Sequence, residues 1–184
     1  MDNLRGILLM VASMAGFALE DMFIKWTSAK MPTGQILVML SVSGTPIFAA
    51  MVMRQGVALW SRDLFHPAVL ARNVGEMVGT FGFITAITLT PLTSATAIFQ
   101  ATPLVVTLGA AVLFGEEVGW QRWLAMAVGF VGVLIVIRPG LEGFEPASLW
   151  MVLAVLGLSV RDVATRRVPP TIVTMHLAFS GFVA

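Results

Sequence analysis

The chain is 184 residues long, 58% hydrophobic and only 11% charged, with a mean hydropathy of +0.91. A soluble domain carries roughly 25% charged residues, so a water-soluble globular fold is all but excluded. Eleven basic residues against ten acidic ones, two histidines and no cysteine leave no nucleic-acid tract, acidic tail, disulfide or soft metal cluster.

A spanning helix needs about 20 mostly apolar residues. The first uncharged run, Gly6–Leu19, reaches that length as a span over 5–27 if Glu20, Asp21 and Lys25 lie at the interface. Glu20 and Asp21 also make a poor cleavage site, so this segment reads as a retained span and not a signal peptide. Met31–Met53 is a span by itself. Met77–Gly115 is too long for one span and contains Pro91, which lacks an N–H and disfavours helix at Thr90. Two helices are therefore expected, over 68–89 and 93–114, with Thr93 or Ser94 capping the second. The fifth span covers 119–138 and stops before Pro139-Gly140. The sixth covers 147–165. The seventh begins after Pro169-Pro170. As a helix, 171–184 extends about 21 Å against a bilayer core of about 30 Å, so the chain is expected to be a fragment ending inside its seventh span.

Basic residues set the orientation. With the N-terminus in the cytoplasm, Arg5, Arg54, Arg62, Arg72, Arg122, Arg161, Arg166 and Arg167 lie on or near that side, and only Lys25, Lys30 and Arg138 face out. Trp26, Trp60, Trp120, Trp123 and Trp150 all fall near predicted span ends, as an aromatic belt requires.

Two stretches look alike, 14–44 and 155–181. Asp21 pairs with Asp162, Lys25 with Arg166, Pro32 with Pro169 and Ser43-Gly44 with Ser180-Gly181. Span 1 thus corresponds to span 6. A repeat unit of five spans reverses direction across the membrane, which is the inverted repeat of many secondary transporters.

The segment 71–140 makes the likeness more specific. Arg72 opens span 3, and Ala86 to Pro91 close it, with Ile87 at a usual Leu position. Pro103 lies inside span 4, Phe114-Gly115-Glu116 follows it, and Gly132-Val133 through Pro139-Gly140 ends span 5. Lys25 sits near the outer end of span 1. With these motifs the chain resembles the EamA-like members of the drug/metabolite transporter superfamily, which have ten spans in two five-span halves. Glu20-Asp21 is more acidic than that pattern. The resemblance implies an all-α polytopic membrane helix bundle with an inverted repeat. Residues 1–140 would be the first five-span unit, and 141–184 the beginning of the second.

Several residues are candidates for a substrate path. Glu76 lies about two turns into span 3, and ionisable residues inside a span usually face a bundle interior or a water-filled path. Asn73, Glu76 and Thr80 share its face, and Gly75 and Gly79 form a small-xxx-small pair beside it. Arg72 with Glu76 as a structural pair is the bland alternative. Asp21 is a candidate for a cavity entrance with Lys25 as partner, whereas Glu20 reads as a solvated helix end. Thr96, Gln100, Pro103 and Thr107 share one face of span 4. Pro103 leaves the carbonyl of Phe99 without its helical partner, an acceptor usable by a ligand; interhelical hydrogen bonding is the rival role for this face. His176 in span 7 is either a packing residue or a proton carrier. His66 and Asp63, in a loop, read as solvated, and Glu116 and Glu117 as a solvated turn.

No phosphate loop, nucleotide fingerprint or zinc motif is present, so no cofactor is expected. The leading reading is a secondary transporter of a small organic metabolite by alternating access. It would be multi-pass in the cell inner membrane and coupled to a proton or ion gradient or working by facilitated diffusion. A half-transporter without independent activity, acting as a dimer or with a missing C-terminal half, is the alternative. A membrane enzyme acting on lipid is the third class and lacks a dense polar cluster.

Overall fold

A computed structural model describes residues 2–115, 119–137 and 145–183. They form helices joined by short turns. In chain order these are α1 (Asp2–Thr27), α2 (Thr33–Arg54), a single 3₁₀ turn (Arg62–Phe65), α3 (Pro67–Leu89), α4 (Leu92–Phe99), α5 (Thr102–Phe114), α6 (Trp120–Ile137), α7 (Ser148–Thr165) and α8 (Thr174–Val183). The expected all-α polytopic membrane bundle is present, with boundaries within about three residues of the sequence reading. Glu116, Glu117, Arg138, Pro139-Gly140 and the expected boundary between the two units lie outside the described residues.

Among the described residues, five stretches are long and apolar enough to cross a membrane: Leu4–Thr27, Thr33–Arg54, Leu92–Phe114, Trp120–Ile137 and Ser148–Thr165. The remaining long helix, α3, carries Arg72, Asn73 and Glu76. It is enclosed along one side, with Val69, Gly75, Gly79, Gly82 and the run Ile84–Ile87 buried. Polarity and position agree, because charged groups in a bundle are tolerated where protein replaces lipid. At the other extreme, α1 exposes nearly all of its large apolar side chains, Leu8, Met10, Met14 and Phe17 among them.

The turn after α3 follows from its sequence. Pro91 cannot continue the helix, and Thr90 becomes extended at φ −119°, ψ 162°. Both the amide and the hydroxyl of Thr90 donate to the Ala86 carbonyl, at 2.8 and 2.7 Å. The expected Thr93 or Ser94 cap does not form. Pro91 occupies the N-cap of α4, and no side chain caps that helix. Proline at this place removes one of the amides that would otherwise need a cap.

The fourth span is broken. α4 ends at Phe99 and α5 starts at Thr102. Pro103, at the start of α5, supplies no amide to the ladder.

α3 and α7 pack along their length, and their contacts fix the direction. Gly75 faces Gly157 and Arg161, Gly79 faces Leu158, and Gly82 faces Trp150 and Ala154. Position rises on one helix as it falls on the other, so the pair is antiparallel. α1 runs parallel to α3, since Lys25 near its end reaches Thr88 and Thr90 at the end of α3. α1 and α7 therefore run in opposite senses, as an inverted relation between spans 1 and 6 requires. The loop holding the 3₁₀ turn and residues 166–168 lie at the same end of the bundle.

Two apolar cores hold the bundle. Ile84, Ala86 and Ile87 of α3 meet Ala95 and Ile98 of α4 and Met151 and Ala154 of α7 at one end. Leu64, Val69 and Leu177 form a smaller cluster at the other. α8 lies on α2, with Phe182 stacked on Phe48 at 5.0 Å between ring centroids.

Candidate functional site

The seam between α3 and α7 is made by missing side chains. A Cβ on Gly75 would stand 2.7 Å from the Gly157 carbonyl oxygen, and one on Gly157 would stand 2.5 Å from the Gly79 amide nitrogen. The backbones approach too closely for any L side chain to stand between them. This is the small-residue packing used where lipid supplies no hydrophobic drive between helices.

One turn beyond this close approach, the seam ends in an ionic network. The Glu76 carboxylate is split between two arginines. Oε2 accepts from Arg72 Nη2 at 3.3 Å within α3, and Oε1 accepts from Arg161 Nη1 of α7 at 3.2 Å. Arg161 Nε also donates to Asp162 Oδ1 at 2.8 Å. Arg72 Nη1 donates to Asn73 Oδ1 at 3.0 Å and to the Leu177 carbonyl of α8 at 3.1 Å. The Ser180 hydroxyl donates to Asn73 Oδ1 at 3.2 Å. Two cations and two anions balance, so three helices meet in a neutral polar knot. Its side chains are partly shielded, Arg72 at 12% and Glu76 at 22% exposure, and in such surroundings charge-assisted hydrogen bonds gain strength. Asn73 and Glu76 thus come together, as their spacing predicts. The Arg72–Glu76 pair forms as well, and Glu76 takes a second arginine that the sequence reading placed only as a basic flank.

The other candidates are spread out. Lys25 turns away from Asp21 and donates to the Thr88 and Thr90 carbonyls at 3.2 and 2.9 Å. A cation on the last carbonyls of a helix complements its dipole. Asp21 is half-buried on α1. His176 is buried, with Nε2 2.9 Å from the Leu59 carbonyl oxygen. His66 is the N-cap of α3, and its Nδ1 accepts from the Ala68 amide at 3.2 Å.

On the fourth span the polar groups are turned inward on their own helix. Thr96 Oγ1 donates to the Leu92 carbonyl at 2.9 Å, and Thr107 Oγ1 donates to the Pro103 carbonyl at 2.7 Å. The Phe99 acceptor expected to stand open is taken by the Thr102 hydroxyl at 2.7 Å. Gln100 is exposed at the break between α4 and α5.

A different face of α5 borders open space. Val105, Gly109 and Leu113, one helical turn apart, line a cleft of about 700 Å³ with Leu156, Val160 and Val163 of α7. His66 and Arg167 also line it.

The family model for EamA-like transporters matches residues 4–138. The chain belongs to the EamA-like transporter family. Because the family is one of transporters, the lipid-enzyme reading gives way. This EamA-like chain is 23% identical over 166 residues to an S-adenosylmethionine uptake transporter of Rickettsia prowazekii, covering 89% of the chain and 55% of that protein. It is 27% identical to a riboflavin transporter of Rhizobium johnstonii, over 82% of the chain and 50% of that protein. It is also 27% identical to a pseudopaline exporter of Pseudomonas aeruginosa, over 97% of the chain and 64% of that protein. The chain spans about half the length of the first two of these relatives and under two thirds of the third. No solved structure gives a significant match.

Sequence reasoning missed Gly157 and Ser180 as site residues and left Arg161 as a topological marker. Arg161 lies inside the predicted sixth span, so the rule that singled out Glu76 applies to it equally.

Proposed function

We propose that this chain is the first five-span unit, residues 1–140, and the opening of the second, residues 141–184, of a secondary transporter. It moves a small organic metabolite across the cell inner membrane by alternating access, with its N-terminus in the cytoplasm. The observation carrying this is the antiparallel α3–α7 seam. It joins the first unit to the start of the second and ends in a polar knot built from both. In inverted-repeat transporters the substrate path lies between such units.

Asn73 and Glu76 are the path residues this reading favours most, because they stand on the seam and have exchangeable partners. Asp21, Thr96, Gln100, Pro103 and Thr107 extend the path along α1, α4 and α5. Lys25 and His176 support it from behind, through the end of α3 and through the loop at Leu59. The relatives' names include S-adenosylmethionine, riboflavin and pseudopaline, all organic molecules with several polar groups. Together they favour a cargo of that class.

Flux into proteoliposomes with a panel of such metabolites tests the proposal. Saturable uptake or efflux is expected, reduced at least several-fold by Glu76→Gln at equal protein incorporation. Absence of flux for every compound would leave the second reading, a half-transporter without independent activity.

A further inference from the structure

The cleft beside α5 lies apart from the seam and its polar knot, and the transport reading makes no use of it. Its walls are apolar, from Val105 and Gly109 of α5 to Leu156 and Val160 of α7. The one hydroxyl in the lining, Ser159 Oγ, is spent on the Val155 carbonyl at 2.6 Å. The interior therefore presents hydrocarbon alone. Leu113, Leu156 and Val160 are more than half exposed along its margin.

Polarity enters at one end. His66 and Arg167 line the cleft there, at the start of α3 and just past the end of α7. Arg167 Nη2 donates to the Leu113 carbonyl at 3.0 Å, and the guanidinium stands 4.8 Å from the centre of the Phe114 ring. These contacts hold the cation at the mouth, and a guanidinium has five donors, so one bond does not exhaust it. Among the described residues, no side chain lining the cleft is acidic. The end with the cation is also the end where the chain's arginines gather, the side that meets anionic headgroups when the N-terminus is cytoplasmic.

We propose that this cleft is a binding site for an anionic phospholipid, with one acyl chain between α5 and α7 and the phosphate on Arg167 and His66. Apolar walls, an open margin and a cationic mouth fit a molecule with a long hydrocarbon tail and one negative head. A basic pocket between spanning helices on the cytoplasmic side is the setting in which such headgroups are held.

The test uses the 184-residue chain in detergent micelles, titrated with phosphatidylglycerol or phosphatidylcholine of identical acyl chains. Bound lipid is counted by native mass spectrometry, and stability is followed by thermal unfolding. Phosphatidylglycerol should give a one-lipid adduct at no more than a tenth of the phosphatidylcholine concentration, with a higher melting temperature. Arg167→Gln should reduce that preference to under twofold. Val160→Phe, which fills the cleft from its margin, should reduce the adduct while leaving the unfolding cooperative. Gly109→Leu is a second filling variant, because even a Cβ there meets Val163 Cγ2 at 3.3 Å. Arg62→Gln, on the same side but outside the cleft, should keep the preference. Equal binding of the two lipids overturns the proposal, as does a preference that survives Arg167→Gln or is lost equally in Arg62→Gln. Stabilisation by millimolar inorganic phosphate alone, matching that by phosphatidylglycerol, overturns it too, since the site would then hold a free anion.

Discussion

Replacing Gly157 by alanine adds one methyl group where the two backbones meet. That carbon would stand 2.5 Å from the Gly79 amide nitrogen, 2.7 Å from Gly79 Cα and 2.9 Å from the Gly75 carbonyl oxygen. All three neighbours are backbone atoms on a regular helix, so none can swing aside. Comfortable contact begins near 3.5 Å, and α3 and α7 must part by about 1 Å to reach it. A gap of that size forfeits roughly a quarter to a half of the dispersion energy of the atoms along the seam. Overpacking of a fitted contact costs about 1–3 kcal/mol, and each 1.4 kcal/mol is about a factor of ten in an equilibrium constant. Gly132→Ala on α6 is the control, because nothing lies within 4 Å of the added carbon; it should stabilise by up to about 1 kcal/mol, the helix preference of alanine over glycine. Both variants are compared by denaturant unfolding in mixed micelles, followed by tryptophan fluorescence. If Gly157→Ala matches Gly132→Ala within error, the seam is not the close contact on which this account rests.

The polar knot should behave as a coupled unit. Arg161→Gln alone is expected to cost about 1–3 kcal/mol, and a double-mutant cycle with Glu76→Gln should return a coupling energy of about 0.5–3 kcal/mol; simple additivity in the same unfolding assay would refute the shared carboxylate. Lys25→Met removes the cation from the end of α3 and should cost about 0.3–1 kcal/mol, with faster amide exchange at the α3–α4 turn as the local readout. Since the chain has no cysteine, Ser61→Cys and Thr165→Cys are clean probes of topology. An impermeant thiol reagent added to one side of oriented vesicles should label both or neither, and opposite labelling would break the antiparallel assignment of α3 and α7.

Much of the architecture was legible because charge and proline punctuate an otherwise uniform apolar sequence. Pro91 separates α3 from α4 where expected, and Gly75 and Gly79 meet a partner helix as their spacing implies. What was not legible is how polar groups divide between neighbours and their own backbone. Pro103 does leave the Phe99 carbonyl without an amide, but Thr102, one residue earlier, returns a hydroxyl to it. Lys25 stands one turn from Asp21, yet the carbonyls at the end of α3 take it. Both outcomes depend on the position of a distant or locally bent backbone, which periodicity along one helix does not encode. The same holds for Arg161, whose tie to Glu76 appears only once α7 is antiparallel to α3.

The Arg72–Glu76 pair has a bearing on how the chain enters the bilayer. α3 is synthesised well before α7, and for that interval Arg161 and Asp162 do not exist. A helix bearing an isolated arginine and an isolated glutamate would have to place two bare charges among acyl chains. With the two residues four apart, α3 carries its own counterion and can wait, electrically neutral, until the later helix arrives to complete the arrangement.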